Sequence, residues 1–95
     1  MPSILLRHKI VNYTKWKRAV RAATAFRKAG GELSFRAYRS SDDPNDVTVL
    51  CEWASAARAR RFLGSAELRK RMKEAGVVGK PKIQFLSPAE DLSVS

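Results

Sequence analysis

Four short stretches rich in apolar and β-branched residues punctuate the chain, and each predicts a β-strand. They cover residues 3–11, 32–40, 47–53 and 82–86. The third is the clearest, because its apolar side chains repeat with the period of two that is typical of a half-buried strand. A polar turn containing Asp43, Pro44 and Asn45 precedes it, so the second and third strands are predicted to form a hairpin.

The segment after the first strand has helical spacing instead. An apolar stripe at i, i+4 and i+7 marks its inner face and consists of Trp16, Val20 and Ala23. Asn12 or Thr14 can cap the start of this helix with its side-chain oxygen. We expect one continuous helix that ends at Gly30 and Gly31, where a glycine can adopt the left-handed conformation of a helix terminus.

Two shorter helices are predicted after the third strand. Ser55 can cap the first and Ser65 the second. The inner stripe of the second comprises Leu68, Met72 and Ala75. Gly76 is expected to end it, and residues 77–81 are expected to be a connector to the last strand.

This order of elements, β-α-β-β-α-β, predicts an α+β fold of the ferredoxin-like type. Its four-stranded antiparallel sheet would have the first and third strands at the centre and helices on one face. We expect residues 1–86 to form a single domain and residues 87–95 a polar C-terminal tail. The predicted helix-facing set is Leu6, His8, Ile10, Leu33, Phe35, Ala37, Val49, Cys51, Trp53, Ile83 and Phe85. The opposite face is mixed and carries Leu5, Arg7, Lys9, Arg36, Tyr38, Leu50, Glu52 and Gln84.

The charge and the cysteine content limit which cellular environment and which partners we expect for the protein. Nineteen Lys and Arg against nine Asp and Glu give a formal net charge of +10, concentrated on the predicted helices. We interpret this charge as a solvated surface rather than a nucleic-acid site. The single cysteine, Cys51, lies in an apolar strand, which is typical of a reduced cytoplasmic protein and disfavours a nucleophilic role. No apolar run approaches a membrane span, and the first residues do not have the pattern of a secretory signal.

Three stretches resemble the dimeric α/β-barrel superfamily, in particular antibiotic-biosynthesis monooxygenases and stress-response barrel proteins. They are RHKIVNYTKWK, DDPNDVTVLCEW and ARRFLGSAELRKRMKEAGVVGKPKIQFL, and the resemblance covers about residues 4–86. It implies a homodimer whose two sheets pack face to face with the helices outside. Ligands in this family commonly lie between the sheet and the helices of each subunit. Some members oxidise aromatic polyketides without metal or flavin, and others degrade haem.

A pocket between sheet and helices would draw on the predicted inward aromatic side chains and on His8, the only histidine. Its predicted lining is His8, Trp16, Phe35, Trp53, Phe62 and Phe85, with Arg39 at the rim. Such a lining suits a flat aromatic ligand. An alternative is that His8 is a core histidine, and no catalytic residue can be assigned.

We expect no metal and no cofactor. The sequence has no paired acidic residues or Cys/His spacing of a metal site, and no glycine-rich phosphate loop. The resemblance implies that a haem-degrading member has a histidine on its second helical segment. Residues 65–75 contain Met72 and no histidine, so haem degradation is disfavoured.

Three functions remain open. The first is a cofactor-free monooxygenase acting on an apolar or aromatic molecule. The second is a non-catalytic ligand-binding or stress-response dimer with the same pocket. A basic nucleic-acid-binding protein is the third, and the first two are jointly favoured over it.

Overall fold

A computed structural model describes residues 1–94 of the chain. Its strands form one antiparallel sheet in the order β2-β3-β1-β4, with β1 and β3 at the centre. This confirms the predicted ferredoxin-like arrangement. The elements are β1 (Ser3–Ile10), α1 (Tyr13–Ala22), α2 (Thr24–Gly30), β2 (Glu32–Arg39), β3 (Asp46–Trp53), α3 (Ala56–Leu63), α4 (Ala66–Glu74) and β4 (Val77–Leu86).

Side-chain caps fix where three of the helices begin, as the sequence predicted. The Asn12 side chain accepts a hydrogen bond from the Lys15 N–H at 3.0 Å, which places the start of α1. Ser55 and Ser65 accept equivalent bonds at the starts of α3 and α4. Each cap satisfies a backbone donor that has no partner within the helix.

The helix predicted from Asn12 to Gly30 is two helices, so that prediction was wrong at its middle. Ala23 has φ −92° and ψ 8°, and its N–H is shared between the carbonyls of Ala19 and Val20 at 3.1 and 3.2 Å. The Thr24 hydroxyl donates to the Arg21 carbonyl at 2.8 Å, a local bond that competes with regular helix pairing. Helix α2 then ends at Gly30 and is capped by Gly31, whose φ of 110° confirms the predicted glycine stop.

The hydrophobic core lies between the sheet and the helices. The inward side chains of the two central strands are buried along their whole length, and Ile4, Val47 and Trp53 have almost no exposed surface. The helix-facing assignment of β1 and β3 therefore holds. On the other face, Leu5 and Leu50 are only half-buried, because no helix covers them.

Both edge strands depart from the predicted pattern. The pairing of β2 with β3 shifts between Glu32 and Ser34, so Glu32 lies opposite Trp53 while Leu33, predicted to face the helices, is 54% exposed. A β-bulge of this kind adds one residue and reverses the side on which the preceding residues point. Strand β4 begins at Val77 rather than at 82, so the predicted connector is part of the sheet.

The residues after β4 form no helix or strand as far as Val94. None of the helices within residues 1–94 is both long and apolar enough to cross a membrane.

Candidate functional site

A cavity of about 100 Å³ lies between the sheet and the four helices. Its floor comes from the inward side chains of β1, β2 and β3, and its walls come from all four helices. Most of the lining is aliphatic or aromatic, so the cavity favours apolar ligands. The position follows from the fold, because the inward side chains of the sheet and the inner faces of the helices meet there.

The structure brings five of the seven predicted pocket residues together in this cavity. These are His8, Trp16, Phe35, Trp53 and Phe62. Trp53 and Phe62 have ring centroids 4.8 Å apart, and Trp16 and Phe35 are 6.4 Å apart. The aromatic rings therefore form two pairs in the cavity wall against which a flat molecule could pack.

Arg39 and Phe85 do not line the cavity. The guanidinium of Arg39 lies 4.0 Å from the ring centroid of Tyr13 and donates a hydrogen bond to the Pro44 carbonyl at 2.9 Å, which holds it near the β2–β3 turn. Phe85 is on the helix-facing side of β4, but that strand is an edge. Arg60 covers its ring at 4.6 Å and 37% of the residue is exposed.

His8 is the polar group at one end of the cavity. It is 7% exposed, and its ring meets Trp16 edge to face with centroids 5.9 Å apart. Neither Nδ1 nor Nε2 has a hydrogen-bond partner among residues 1–94. Burial lowers the pKa of His8 to about 4, against a smaller opposing effect of Asp46. The imidazole is thus neutral at pH 7 and offers one donor and one acceptor.

A partly buried ion pair also lines the cavity. Arg27 donates from Nη1 to Glu32 Oε1 at 2.6 Å, and its guanidinium carbon lies 4.4 Å from the Phe35 ring centroid. Burial raises the pKa of Glu32, and the Arg27 charge partly offsets that effect. Sequence reasoning missed both residues, because strict alternation put no acidic residue on the inner face. The available signal was an arginine and a glutamate flanking the glycine stop, where the chain reverses.

Cys51 lies in the cavity wall but has the chemistry of a core residue. Its thiol is buried and accepts a hydrogen bond from Trp53 Nε1 at 3.2 Å. Burial raises the pKa of the Cys51 thiol, which disfavours the nucleophilic thiolate. Across the described residues, 1–94, there is no group of three His, Cys, Asp or Glu side chains placed to hold a metal ion.

Comparison with protein families gives a match that covers most of the domain. The family model described as antibiotic biosynthesis monooxygenase matches residues 7–74. That range includes the buried histidine, both tryptophans and the partly buried ion pair. None of the curated proteins matches the chain in sequence.

Solved structures with the same fold include oxygenases. SnoaB from Streptomyces nogalater, a cofactor-independent oxygenase, aligns with a TM-score of 0.76 at 14% identity, over 96% of this chain and 95% of its own. A monooxygenase from the gene ActVA-Orf6 of Streptomyces coelicolor, solved with the ligand nanaomycin D, aligns with a TM-score of 0.70 at 23% identity, over 99% and 92%. A Bordetella bronchiseptica protein named as a candidate antibiotic biosynthesis monooxygenase aligns at 0.78 and 14%, over 94% and 97%. At these identities the likeness shows a shared fold.

Proposed function

The chain belongs to the antibiotic biosynthesis monooxygenase family, and from this premise we propose that it oxidises an aromatic small molecule in the helix–sheet cavity without a metal or flavin. The observation that carries the proposal is the state of His8. A neutral imidazole whose two nitrogens have no partner within residues 1–94 lies in a cavity lined mainly by aromatic and aliphatic groups. Leaving such a group unsatisfied is unfavourable, and a substrate hydroxyl would satisfy it.

The chemistry assigned to His8 is acceptance of a proton from a phenolic hydroxyl. Burial leaves the His8 imidazole neutral at pH 7, so a nitrogen is free to accept the proton. Because the same burial makes it a weak base, the transfer depends on pairing between the imidazolium and the phenolate that it forms, in surroundings that keep water away. An electron-rich phenolate can then reduce O2 directly. Conversion of a phenol to a quinone places one oxygen atom on the ring and releases the other as water. The substrate supplies all four electrons, so no external reductant is needed.

A second candidate function is ligand binding without catalysis, as in a stress-response protein. The observation that favours it is that no side chain among the described residues, 1–94, is hydrogen-bonded to His8 to fix its orientation. A catalytic base usually has such a partner on its second nitrogen. If the protein only binds its ligand, the His8 nitrogens serve only to hold a ligand hydroxyl.

We also propose that the protein acts as a homodimer in the cytoplasm, with the uncovered face of the sheet as the interface. The half-buried Leu5 and Leu50 are paired neighbours in the register of β1 and β3 and form a small apolar centre there. Nucleic acid is not a partner in this proposal. The buried free Cys51 fits a reducing compartment.

Oxygen uptake with a panel of planar phenols tests the proposed activity. The wild-type protein should consume one O2 per phenol converted to quinone. His8→Leu should lower the rate about 100-fold or more, because it removes the base. Val47→Ala is the matched control, since Val47 is buried beside His8 in the sheet but does not line the cavity. Phenol binding without oxygen uptake would favour the non-catalytic function, and an unchanged rate in His8→Leu would refute the role of His8.

A further inference from the structure

A surface groove of about 540 Å³ lies at the start of β2, beside the cavity between the sheet and the helices. Its walls come from α2, from the first residues of β2 and from the beginning of α3. Six of its ten lining residues are exposed, so an occupant can reach them from solvent. They are Thr24, Lys28, Leu33, Ser34, Ala54 and Arg58.

The groove carries positive charge that has no acidic partner. Within residues 1–94, neither Lys28 nor Arg58 forms an ion pair. A hydrogen bond from Arg58 Nη2 to the Ala29 carbonyl at 2.9 Å fixes the guanidinium beside the groove and leaves its other N–H groups as donors. Glu32 is the acidic lining residue, and its carboxylate is already paired with Arg27. The groove therefore favours an occupant that supplies carboxylates.

Leu33 gives the groove an apolar contact as well. It lies at the β2 bulge, between Glu32 and Ser34, and is 54% exposed. Because β2 is an edge strand, its outer side is paired with no other strand of the described chain. An extended segment with acidic residues next to an aliphatic residue therefore matches both the charge and the apolar contact of the groove.

The C-terminal tail, residues 87–94, has this composition. Glu90 and Asp91 form an acidic pair, and Leu92 and Val94 follow it with the spacing of one face of an extended strand. Neither acid is in an ion pair within the described residues, 1–94. Leu92 is 76% exposed and Val94 is 95% exposed. The tail therefore offers the charge and the apolar side chain that the groove lacks.

The tail leaves the sheet at the end where the groove lies. Leu86, the last residue of β4, pairs with Ser3, and Ser3 also pairs with Glu52 of β3. Glu52 in turn lies opposite Ser34 in the groove wall. From β4 to β2 there are three strand spacings, or about 14 Å at about 4.8 Å each. Five extended residues span about 17 Å at about 3.3 Å per residue, so the acidic pair reaches the groove across the end of the sheet.

We propose that the C-terminal tail docks in this groove, with its acidic pair against Lys28 and Arg58. Leu92 then packs on Leu33. The docked tail links the end of α2 to the start of α3, two helices whose aromatic side chains pack on each other in the cavity wall with ring centroids 4.8 Å apart. Its role is to hold that wall closed by contacts outside the cavity. The proposal stands apart from the proposed oxidation, because docking needs no substrate.

Paramagnetic broadening of backbone amide signals tests where the tail lies in the full-length protein. Ser93→Cys provides an exposed thiol for a nitroxide label, whereas Cys51 is buried and burial raises the pKa of its thiol, so Cys51 stays unlabelled. The amides of Leu33 and Ser34 should broaden strongly. Those near Lys15, at the start of α1 and thus at the opposite end of the sheet, should keep their intensity.

Charge variants test the pairing in the groove. Lys28→Glu should lower the broadening of the groove amides about two- to fivefold, the factor expected for loss of one exposed ion pair. Adding Glu90→Lys to this variant should restore the broadening, because the two charges are then exchanged. Lys17→Glu makes the same change of charge at an exposed position of α1 and should have no effect. At 1 M salt the wild-type broadening should also fall, because the Debye length is then about 3 Å.

A mixed sample shows which subunit supplies the tail. It combines spin-labelled protein with unlabelled protein that alone carries the isotope for detection, and the groove amides should then keep their intensity. Broadening of the groove in that sample would assign the occupant to a second copy and overturn the proposal. Broadening centred on β4 or spread over all the basic helices, or groove broadening that Lys28→Glu leaves unchanged, would overturn it too. Restoration by the exchanged charges would establish the docking site.

Discussion

His8 combines two properties that are separately unfavourable for stability. It is buried, and both of its ring nitrogens lack hydrogen-bond partners in the part of the chain that the structure describes. An unsatisfied buried donor or acceptor costs about 1–3 kcal/mol, whereas an apolar side chain of similar volume would have no such cost. A polar group retained against that cost, in the wall of a cavity, is typical of a residue that serves binding or catalysis.

Replacing His8 by leucine should therefore increase stability, and more so in acid. The pKa of His8 falls from 6.5 to about 4 on folding, so the unfolded chain binds this proton more readily. Stability linked to His8 is present above pH 6.5 and is lost as pH falls toward 4. Urea unfolding should show a wild-type loss of about 2 kcal/mol between pH 7 and pH 4.5 that His8→Leu does not share.

Comparing the two proteins cancels the contributions of other acidic groups. Asp46 is the charged residue that acts on His8, and its own pKa is lowered, mainly by a hydrogen bond from Arg7. Its stabilising contribution is lost only at lower pH. The pKa of Glu32 is raised, so its protonation favours the folded state as the pH falls. A parallel pH dependence in wild type and His8→Leu would show that His8 is not buried in neutral form.

At the scale of elements, local rules predicted the helix starts and the central strands but not the edges. A cap depends on one side chain and the backbone next to it, so Asn12, Ser55 and Ser65 could be read from the sequence. The alternation of apolar and polar residues predicted β1 and β3 because one face of each strand is buried over its full length. The break at Ala23 could not be read, since alanine favours helix and the break depends on how the chain packs.

The same difference between locally determined elements and irregular edges explains which residues of the candidate site could be predicted. His8, Trp16 and Trp53 lie on elements whose faces were predicted correctly, and the structure places all three in the cavity wall. Arg27 and Glu32 depend on the β2 bulge and on the helix break, two irregularities that neither strand alternation nor helical periodicity locates, although both residues flank the glycine stop. The position of β4 at the edge of the sheet also explains why its inward-facing side chains are partly exposed.

Helices α2 and α3 approach closely at Gly30, and this contact leads to a prediction about stability. A Cβ atom on Gly30 would lie 2.4 Å from Cδ2 of Phe62, a cavity-lining ring that also packs on Trp53. Gly30→Ala should thus lower the free energy of unfolding by about 1–3 kcal/mol through overpacking. Helix propensity alone would raise it by up to about 1 kcal/mol.

Urea unfolding of Gly30→Ala distinguishes a loss of stability through overpacking from a gain through helix propensity. Lys28→Ala, a change to alanine at an exposed position of the same helix, is the control and should have little effect on stability. A stabilised Gly30→Ala protein would show that α2 can move away from α3 without loss of packing. It would also show that the Phe62 wall of the cavity is adaptable.

Charge is distributed unevenly over the whole molecule. On the uncovered sheet face, Arg7 pairs with Asp46 at 2.6 Å and Lys9 with Asp43 at 2.7 Å, so much of the local positive charge is balanced. Most of the formal net charge of +10 therefore lies elsewhere, largely on the outer faces of the helices. Two copies joined through their sheets would keep these basic helix surfaces far apart, which limits their mutual repulsion.

This distribution leads to a prediction about the proposed homodimer. A specific interface of at least ~1,200 Å² on the sheet face should give a dimer at micromolar concentration by light scattering. Leu50→Arg should convert it to a monomer, because Leu50 lies beside Leu5 and Arg36 in the sheet register and a new charge there would be buried near like charge. Ala57→Arg adds the same charge to an exposed position of α3 and should leave the dimer intact.

Salt provides an independent check on the geometry of this dimer. Repulsion between two subunits of charge +10 is screened as ionic strength rises, since the Debye length falls from about 10 Å at 0.1 M to about 3 Å at 1 M. Dimerisation through the charge-balanced sheet face should therefore strengthen modestly with salt. An interface built on ion pairs between subunits would weaken instead. A wild-type protein that stays monomeric at every salt concentration would show that the Leu5 and Leu50 face is a solvent-exposed surface.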